Sequence, residues 1–133
     1  MATADFFRRL GFFVDAQFLD LEACESLRSQ TITDAQPGSV YRGAGEFVID
    51  TRIRQVQRAK VLGSPLEELR EKLLAVTPAL EAHFRTKLEG FEDPALLKYR
   101  VGDFYTAHRD GTDDSDAPEF FRRRHISAII FLN

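Results

Sequence analysis

The chain has 133 residues, of which 44% are hydrophobic and 29% are charged, and its formal net charge is -3. This length suits one domain with a real core, and the negative balance gives no general attraction for nucleic acid or an acidic membrane surface. A single cysteine, Cys24, excludes an internal disulfide, and no apolar run is long enough for a membrane span or a signal peptide. We therefore expect a cytoplasmic protein with no nucleic-acid and no membrane partner. The oligomeric state does not follow from these features.

The first third of the chain predicts one helix and two strands. "GFFVDAQFLD" (11–20) predicts a short strand that runs into a helix capped by Asp20. On that helix Leu21, Cys24 and Leu27 share one face, with Cys24 as a buried apolar residue. "DAQPGS" has the composition of a loop, and the β-branched residues of "GEFVIDTRI" (45–53) predict a strand.

The clearest helix begins at Ser64. "SPLE" predicts a capping box with proline at the first helical position. Apolar residues then repeat at steps of three and four, which indicates core packing: Leu66, Leu69, Leu73, Leu80, Phe84 and Leu88. Pro78 either kinks this helix or starts a second one. We interpret His83, beside the apolar stripe, as a partly buried or surface histidine, with metal binding as the alternative.

After Pro94 the apolar period changes to two, which predicts strands. The alternation over 97–101 is followed by a bend at Gly102-Asp103 and by extended structure over 104–110. The acidic "DGTDDSDAPE" is a predicted loop, and 124–132 is a predicted second strand of a hairpin. Helices first and strands last predict an α+β fold, with the helices packed on one face of a mainly antiparallel sheet.

His108 and Asp110 are the candidate metal ligands. In a strand they would project to the same face, with Arg109 on the opposite side. An imidazole and a carboxylate make two of the three protein ligands of a facial iron site, which keeps positions open for substrate and dioxygen. The triplet fits equally a surface histidine beside a carboxylate that opens an acidic loop, so both interpretations stay open at this point.

Two longer stretches, "LLKYRVGDFYTAHRD" and "RRRHISAIIFLN", resemble the start of the catalytic core of the Fe(II)- and 2-oxoglutarate-dependent dioxygenases, specifically the prolyl 4-hydroxylase-like group. The shared pattern is a tyrosine, a bend, an aromatic residue, the His-x-Asp, a variable loop and a strand that ends in aromatic-Leu-Asn. In this chain these are Tyr99, Gly102-Asp103, Tyr105, His108 with Asp110, and Phe131-Leu132-Asn133. The preceding "GFFVDAQFLDLEACESL" and the long amphipathic helix are similar to the family's N-terminal support region.

The resemblance implies that His108 and Asp110 bind Fe(II) and that the Tyr99 hydroxyl binds 2-oxoglutarate. Phe131 stands where many relatives carry a second tyrosine near that cosubstrate, and it lacks the hydroxyl. Ile129, two residues earlier on the same strand face, lines the pocket in this interpretation.

The resemblance also implies roles for the rim, the fold and the reaction. Tyr105 and Arg109 lie where a substrate approaches. The fold is a double-stranded β-helix (jelly roll), with 1–93 as helical support and 94–133 as the first strands of a single domain. A complete enzyme hydroxylates a prolyl residue or a similar C–H bond of a peptide or small molecule. It consumes 2-oxoglutarate and O2, releases succinate and CO2, and ascorbate is an optional reductant. Metal binding weakens in acid, because protons compete for the imidazole.

The family's site also holds a distal histidine and an Arg or Lys that pairs with 2-oxoglutarate. Downstream of Asp110 the sequence offers only His125, which in family terms starts the next strand; a metal role for it is the alternative. A jelly roll has about eight strands, so we expect this chain to be the N-terminal portion of a longer protein and inactive alone.

Three other functions compete with this assignment. The acidic loop suggests calcium, yet it lacks the sixth-position glycine and the closing glutamate of an EF-hand. The three adjacent arginines of "FFRRRH" suggest nucleic acid, although their acidic neighbours favour neutralisation of the loop. The third alternative is a non-catalytic jelly-roll binding module that has lost the iron chemistry.

Overall fold

The computed structural model describes residues 2–30 and 34–133, and these residues form helices and short antiparallel strands. The mixed α+β class predicted from the sequence is confirmed. The helices are α1 (Ala2–Arg9), α2 (Leu21–Ser29), α3 (Ser64–Phe84) and α4 (Glu119–Arg122). The strands are β1 (Gln36–Pro37), β2 (Val40–Gly43), β3 (Glu46–Val48), β4 (Arg54–Gln55), β5 (Gln57–Lys60), β6 (Ala95–Lys98) and β7 (Phe104–Tyr105). The predicted order of helices first and strands last is wrong, because β1 to β5 precede α3.

The described residues divide into two compact units. The first takes in the residues up to 30 together with 61–94 and 132–133, and the second takes in 34–60 and 95–131. Each unit therefore combines segments that are distant in the sequence. No helix in the described part of the chain is long and apolar enough to cross a membrane.

In the first unit, α2 begins as the sequence predicts. The Asp20 carboxylate accepts a hydrogen bond from the backbone N–H of Ala23 at 2.8 Å, which satisfies one of the free donors of the first turn. The shared apolar face is confirmed only in part, since Leu27 is buried while Leu21 is 88% exposed. The strand predicted before this helix is wrong. Residues 12–15 have no regular structure, and a strand forms only where its backbone pairs with another one.

Helix α3 is continuous through Pro78, so the alternative of a second helix is excluded. The hydroxyl of Thr77 donates to the carbonyl of Leu73 at 2.7 Å. The predicted capping box does not form: the cap residue is Gly63, its φ is 67°, and no side chain caps the helix. Ser64 is already helical, which places it one position too late to cap. The helix ends in the left-handed conformation of Arg85, so Leu88 lies beyond the stripe predicted for it.

The second unit holds three small antiparallel sheets: β1-β5-β6, β2-β3 and β4-β7. In the first of these sheets, Ala59 lies opposite Leu96. In the β4-β7 pair, Arg54 lies opposite Tyr105. The buried apolar residues of this unit are Val40, Val56, Ala59, Ala117 and Phe121. The β4-β7 pair positions the site, because β7 leads directly to His108.

The strands near the candidate site are shorter than predicted. The strand predicted over 45–53 is confirmed at β3, and the bend at Gly102-Asp103 is confirmed by a bond from the Asp103 N–H to the Arg100 carbonyl at 2.9 Å. Extended structure from Phe104 ends at Tyr105. The strand predicted over 124–132 is wrong, and so is the hairpin, because this segment pairs with none of the strands in the described residues.

Candidate metal-binding cleft

The side chains of His108 and Asp110 meet, as the sequence predicts. The Nε2 atom of His108 lies 2.9 Å from Oδ1 of Asp110. They meet in a bend rather than in a strand: the N–H of Thr106 still donates to the Ile53 carbonyl at 2.9 Å, and the chain then turns through 107–111. The predicted proximity therefore holds although the predicted local structure does not.

The imidazole of His108 is oriented by a backbone carbonyl. Its Nδ1 atom lies 2.7 Å from the carbonyl oxygen of Thr106. A carbonyl can only accept, so Nδ1 donates its proton there, and Nε2 is the nitrogen turned toward the carboxylate. Metal-binding histidines are commonly held in this way, with the second ring nitrogen bonded to a carbonyl or carboxylate.

A stack of side chains fixes the plane of this imidazole. The Tyr105 ring lies against His108 with a centroid distance of 3.5 Å and an interplanar angle of 18°. The Arg54 guanidinium lies 4.4 Å from the centroid of the Tyr105 ring, a cation–π contact, and its Nη1 donates to the Ser39 carbonyl at 2.8 Å. Gly38 makes room for this arginine, because a Cβ there would lie 2.6 Å from Arg54 Nε.

His108 and Asp110 border a cleft of about 380 Å³, a volume within the usual range for small-molecule sites. Its lining residues are His108, Arg109, Asp110, Gly111, Thr112, Asp113, Arg122, Arg124, His125 and Ser127. Three of these side chains are arginines and two are aspartates. The cleft is therefore polar and charged rather than an apolar pocket.

One wall of the cleft is anchored through Asp114, whose carboxylate accepts bonds from the Tyr41 hydroxyl at 2.6 Å and from the Ala44 N–H at 3.2 Å. The hydrogen bond from Tyr41 is the largest cause that lowers the pKa of Asp114, and the bond from the Asp116 N–H also lowers it. Desolvation, and then the bond to this carboxylate, raises the pKa of Tyr41. The loop is thereby fixed to the β2-β3 hairpin, where Phe121 packs edge-on to Tyr41 at 5.2 Å.

Two carboxylates of the acidic loop have partners within the protein. The carboxylate of Asp114 is occupied by these internal bonds, and that of Asp113 lies 3.5 Å from Nη1 of Arg109. Among the described side chains, those of residues 6–30 and 34–133, no group of three or more His, Cys, Asp or Glu is placed to hold a metal ion. His108 and Asp110 are thus a candidate pair of ligands, and His125 lines the same cleft.

The other residues predicted from the resemblance lie in different settings. Tyr105 stacks on His108, and Arg109 lines the cleft. Tyr99, which is 49% exposed, is not among the lining residues. Ile129 and Phe131 are also outside the lining and are mostly exposed, at 76% and 78%. The structure thus brings together the metal pair and the rim residues, but not the predicted cosubstrate residues.

Sequence reasoning missed the roles of Arg54, Arg122 and Arg124. The triple-arginine motif was the available signal, and it was interpreted as neutralising the acidic loop. Its middle member lies beside the short helix α4, with Nη1 of Arg123 at 3.5 Å from the carboxylate of Glu119. The two outer arginines line the cleft.

Comparison of the chain with models of protein families, with curated proteins and with solved structures finds no match.

Proposed function

We propose that the chain contributes the His108–Asp110 ligand pair of an Fe(II)- and 2-oxoglutarate-dependent dioxygenase of the prolyl 4-hydroxylase-like type. The observation that carries the proposal is the separation of 2.9 Å between His108 Nε2 and Asp110 Oδ1. Two ligand atoms about 2.1 Å from one ion, and at a right angle to each other, lie about 3 Å apart. The pair fits adjacent positions on an octahedral ion with little rearrangement.

The surrounding groups support metal binding more than an accidental contact. The Thr106 carbonyl accepts the Nδ1–H of His108, so Nε2, which faces the carboxylate, is the nitrogen left to bind a metal ion when its proton is displaced. The Tyr105 ring restricts rotation of that imidazole. A metal ion would take the place of the proton between Nε2 and Oδ1, so binding must weaken in acid.

In this proposal each residue keeps the role that the resemblance gives it. His108 and Asp110 hold Fe(II), Tyr99 orients 2-oxoglutarate, and Tyr105 and Arg109 lie beside the substrate. Ile129 and Phe131 shield the cosubstrate, and the finer fold is a double-stranded β-helix. With Fe(II), 2-oxoglutarate and O2 bound, the chemistry supplied is hydroxylation of a prolyl or similar C–H bond, with release of succinate and CO2.

Metal binding can be tested without turnover. We would titrate Mn(II) into the 15N-labelled chain and follow paramagnetic broadening of the amide signals. The signals of Thr106 to Gly111 should broaden first, and His108→Ala or Asp110→Ala should raise the Mn(II) concentration needed by more than about tenfold, since each removes one of two ligands. His83→Ala is the matched control, because that imidazole is also held by a backbone carbonyl, that of Phe12 at 2.7 Å, and His83 is not one of the two proposed ligands.

Unchanged broadening in both His108→Ala and Asp110→Ala would reject the ligand assignment. A chain whose signals near 106–111 never broaden preferentially would favour the non-catalytic binding module instead. Selective broadening in the parent chain and in His83→Ala, lost in the two ligand variants, would support the dioxygenase assignment over that module.

A further inference from the structure

We propose that Arg54 is a positioning residue for the His108–Asp110 ligand pair: it holds the Tyr105 ring against His108, and so keeps the imidazole with Nε2 turned toward Asp110. This role rests on the proposed function, because it gives Arg54 a part in building that pair. Arg54 belongs to β4, distant in the sequence from the His-x-Asp motif, and it is not among the residues that line the cleft. It therefore acts through Tyr105.

A continuous stack of side chains runs from Arg54 to His108. The Arg54 guanidinium lies 4.4 Å from the centroid of the Tyr105 ring, and the same ring lies against the imidazole, with a centroid distance of 3.5 Å and an interplanar angle of 18°. Arg54 lies opposite Tyr105 in the β4-β7 pair, and the side chains of directly opposed residues are close enough to interact. A displacement of Arg54 would therefore reach the imidazole through a single ring.

The backbone of residues 38 and 39 fixes the Arg54 side chain. Its Nη1 donates to the Ser39 carbonyl at 2.8 Å. Gly38 leaves the space that the guanidinium fills, since a Cβ there would lie 2.6 Å from Nε and 2.9 Å from Cζ of Arg54. A planar guanidinium that is bonded at one edge and enclosed at another is preorganised for a stacking contact.

The buried Nε atom indicates that the ring contact decides the geometry of Arg54. Nε is shielded from solvent and has no hydrogen-bond partner in the described part of the chain. A buried donor without a partner destabilises a fold, so such an exception calls for an explanation. An apolar side chain of similar length would avoid that cost, but it would place no cation over the Tyr105 ring and would not bond the Ser39 carbonyl.

The stack adds orientation to a ligand whose free nitrogen is already defined. The Thr106 carbonyl accepts the Nδ1–H of His108 at 2.7 Å, which leaves Nε2 to bind a metal ion but still allows the imidazole to rotate about that hydrogen bond. The Tyr105 ring, nearly parallel to the imidazole, restricts this rotation. Groups that orient metal ligands from outside the ligand shell alter metal affinity by about 10- to 100-fold.

Mn(II) binding to the full chain measures the effect of the stack. Mn(II) is titrated into the 15N-labelled parent chain and variants, each first shown to be folded by its amide spectrum. Arg54→Met should raise the Mn(II) concentration that broadens the signals of 106–111 by about threefold to tenfold, the size of one cation–π contact. Tyr105→Leu should raise it by about tenfold. Tyr105→Phe keeps the ring and should bind Mn(II) as the parent chain does.

The sign of the effect separates positioning from charge. Removal of a positive charge strengthens the binding of a divalent cation, so weaker binding by Arg54→Met would have to come from lost orientation. Arg58→Met, at an exposed arginine of β5, is the matched control and should bind Mn(II) at least as tightly as the parent chain. The double variant Arg54→Met/Tyr105→Leu should lose no more affinity than Tyr105→Leu alone. Losses that add would show that Arg54 does not act through Tyr105.

A metal-free signal distinguishes this role from the proposed function. The carbon-bound ring protons of His108 lie against the Tyr105 ring, whose ring current shifts their NMR signals. Arg54→Met and Tyr105→Leu should both move these signals toward those of an unstacked histidine, without any metal. Unchanged ring signals in Arg54→Met, or Mn(II) binding equal to that of the parent chain, would overturn the role of Arg54 and leave the ligand pair standing.

Failure of the parent chain to show selective broadening would instead reject the ligand pair, and the His108 ring signals would still decide whether Arg54 orients the imidazole. If Arg54→Met does not fold, Arg54→Lys takes its place. Lysine keeps the charge but loses the planar fork, so a smaller loss of Mn(II) affinity is expected, and no loss would count against the role of Arg54.

Discussion

Asp50 is a buried acid that fixes the backbone turn before β4, and β4 pairs with the strand that leads to the candidate site. It is 7% exposed and accepts hydrogen bonds from the backbone and side chain of Arg52 and from the side chain of Arg42. Its own carbonyl accepts from the N–H groups of Ile53 and Arg54. These contacts fix the turn that leads to β4, the strand that pairs with β7 immediately before His108.

This acid should make stability depend on pH. The hydrogen bonds from Arg52 lower the pKa of Asp50 from 3.8 to about 2, although desolvation acts in the opposite direction. A carboxyl whose pKa is lower in the folded state contributes stability that is complete above its unfolded value and is lost as the pH falls. We therefore expect the contribution of Asp50 to disappear between pH 3.8 and about 2.

Urea unfolding of the parent chain and of Asp50→Asn, measured from pH 7 down to pH 2, tests this expectation. The variant should be less stable at neutral pH, and the two free energies of unfolding should converge as the pH approaches 2. Asp34→Asn, at an exposed turn residue, is the control and should follow the parent chain. A constant difference between Asp50→Asn and the parent at every pH would contradict the argument.

The sequence predicted the proximity of His108 and Asp110, because the side chains of residues i and i+2 in an extended segment project from the same face. It did not predict the Thr106 carbonyl or the Tyr105 stack, because both depend on the turn after β7. The contact of Arg54 with the Tyr105 ring was also not predictable from the sequence. It requires the pairing of β4 with β7, which joins residues about fifty positions apart.

Among the elements, α3 was the most predictable, because a helix of 21 residues carries its own periodic signal. The structure shows how deeply individual leucines of this helix are buried. Leu69 is 3% exposed, whereas Leu74, on the same helix, is 62% exposed. The apolar pattern indicates a helix, but only tertiary packing decides how deeply each position is buried.

The two leucines form a matched pair for measuring that packing. Leu69→Ala should cost about 2–5 kcal/mol of unfolding free energy, through lost burial and the cavity left behind. Leu74→Ala should change it by about 0.5 kcal/mol or less, since alanine keeps the helix propensity and little surface is uncovered. Chemical denaturation followed by far-UV circular dichroism measures both. Similar costs for the two variants would show that the buried face of α3 is misassigned.

Strands were less predictable than helices for a physical reason. A strand is defined by its partner, and apolar alternation indicates only that a segment can be extended. The segment 124–132 has a strong β pattern but pairs with no strand in the described residues, while Gln36–Pro37, inside a loop-like composition, pairs with β5. The same limit explains why β4 leaves no detectable sequence signal, and why the extended segment predicted over 104–110 is reduced to the two residues of β7.

Over the whole molecule, the sequence predicted the mixed α+β class but not the grouping of its parts. The second unit joins 34–60 with 95–131, and its three sheets include pairs across that gap. Its core contains Phe121, whose ring centroid lies 5.2 Å from that of Tyr41 and 5.8 Å from that of Phe47. The Arg124 guanidinium lies over the same ring. Burial of one aromatic ring thus joins the short helix α4 to the β2-β3 hairpin.

Phe121→Ala should therefore destabilise this unit. Loss of this ring, which is 8% exposed, should cost about 3–5 kcal/mol of unfolding free energy, through lost burial and the cavity left behind. Phe120→Ala, at the adjacent ring that is 51% exposed, is the matched control and should cost about 1 kcal/mol or less. Urea unfolding of the two variants and of the parent chain measures both costs. Similar costs for Phe121→Ala and Phe120→Ala would show that the cluster of Phe121, Tyr41 and Phe47 does not contribute to the core of this unit.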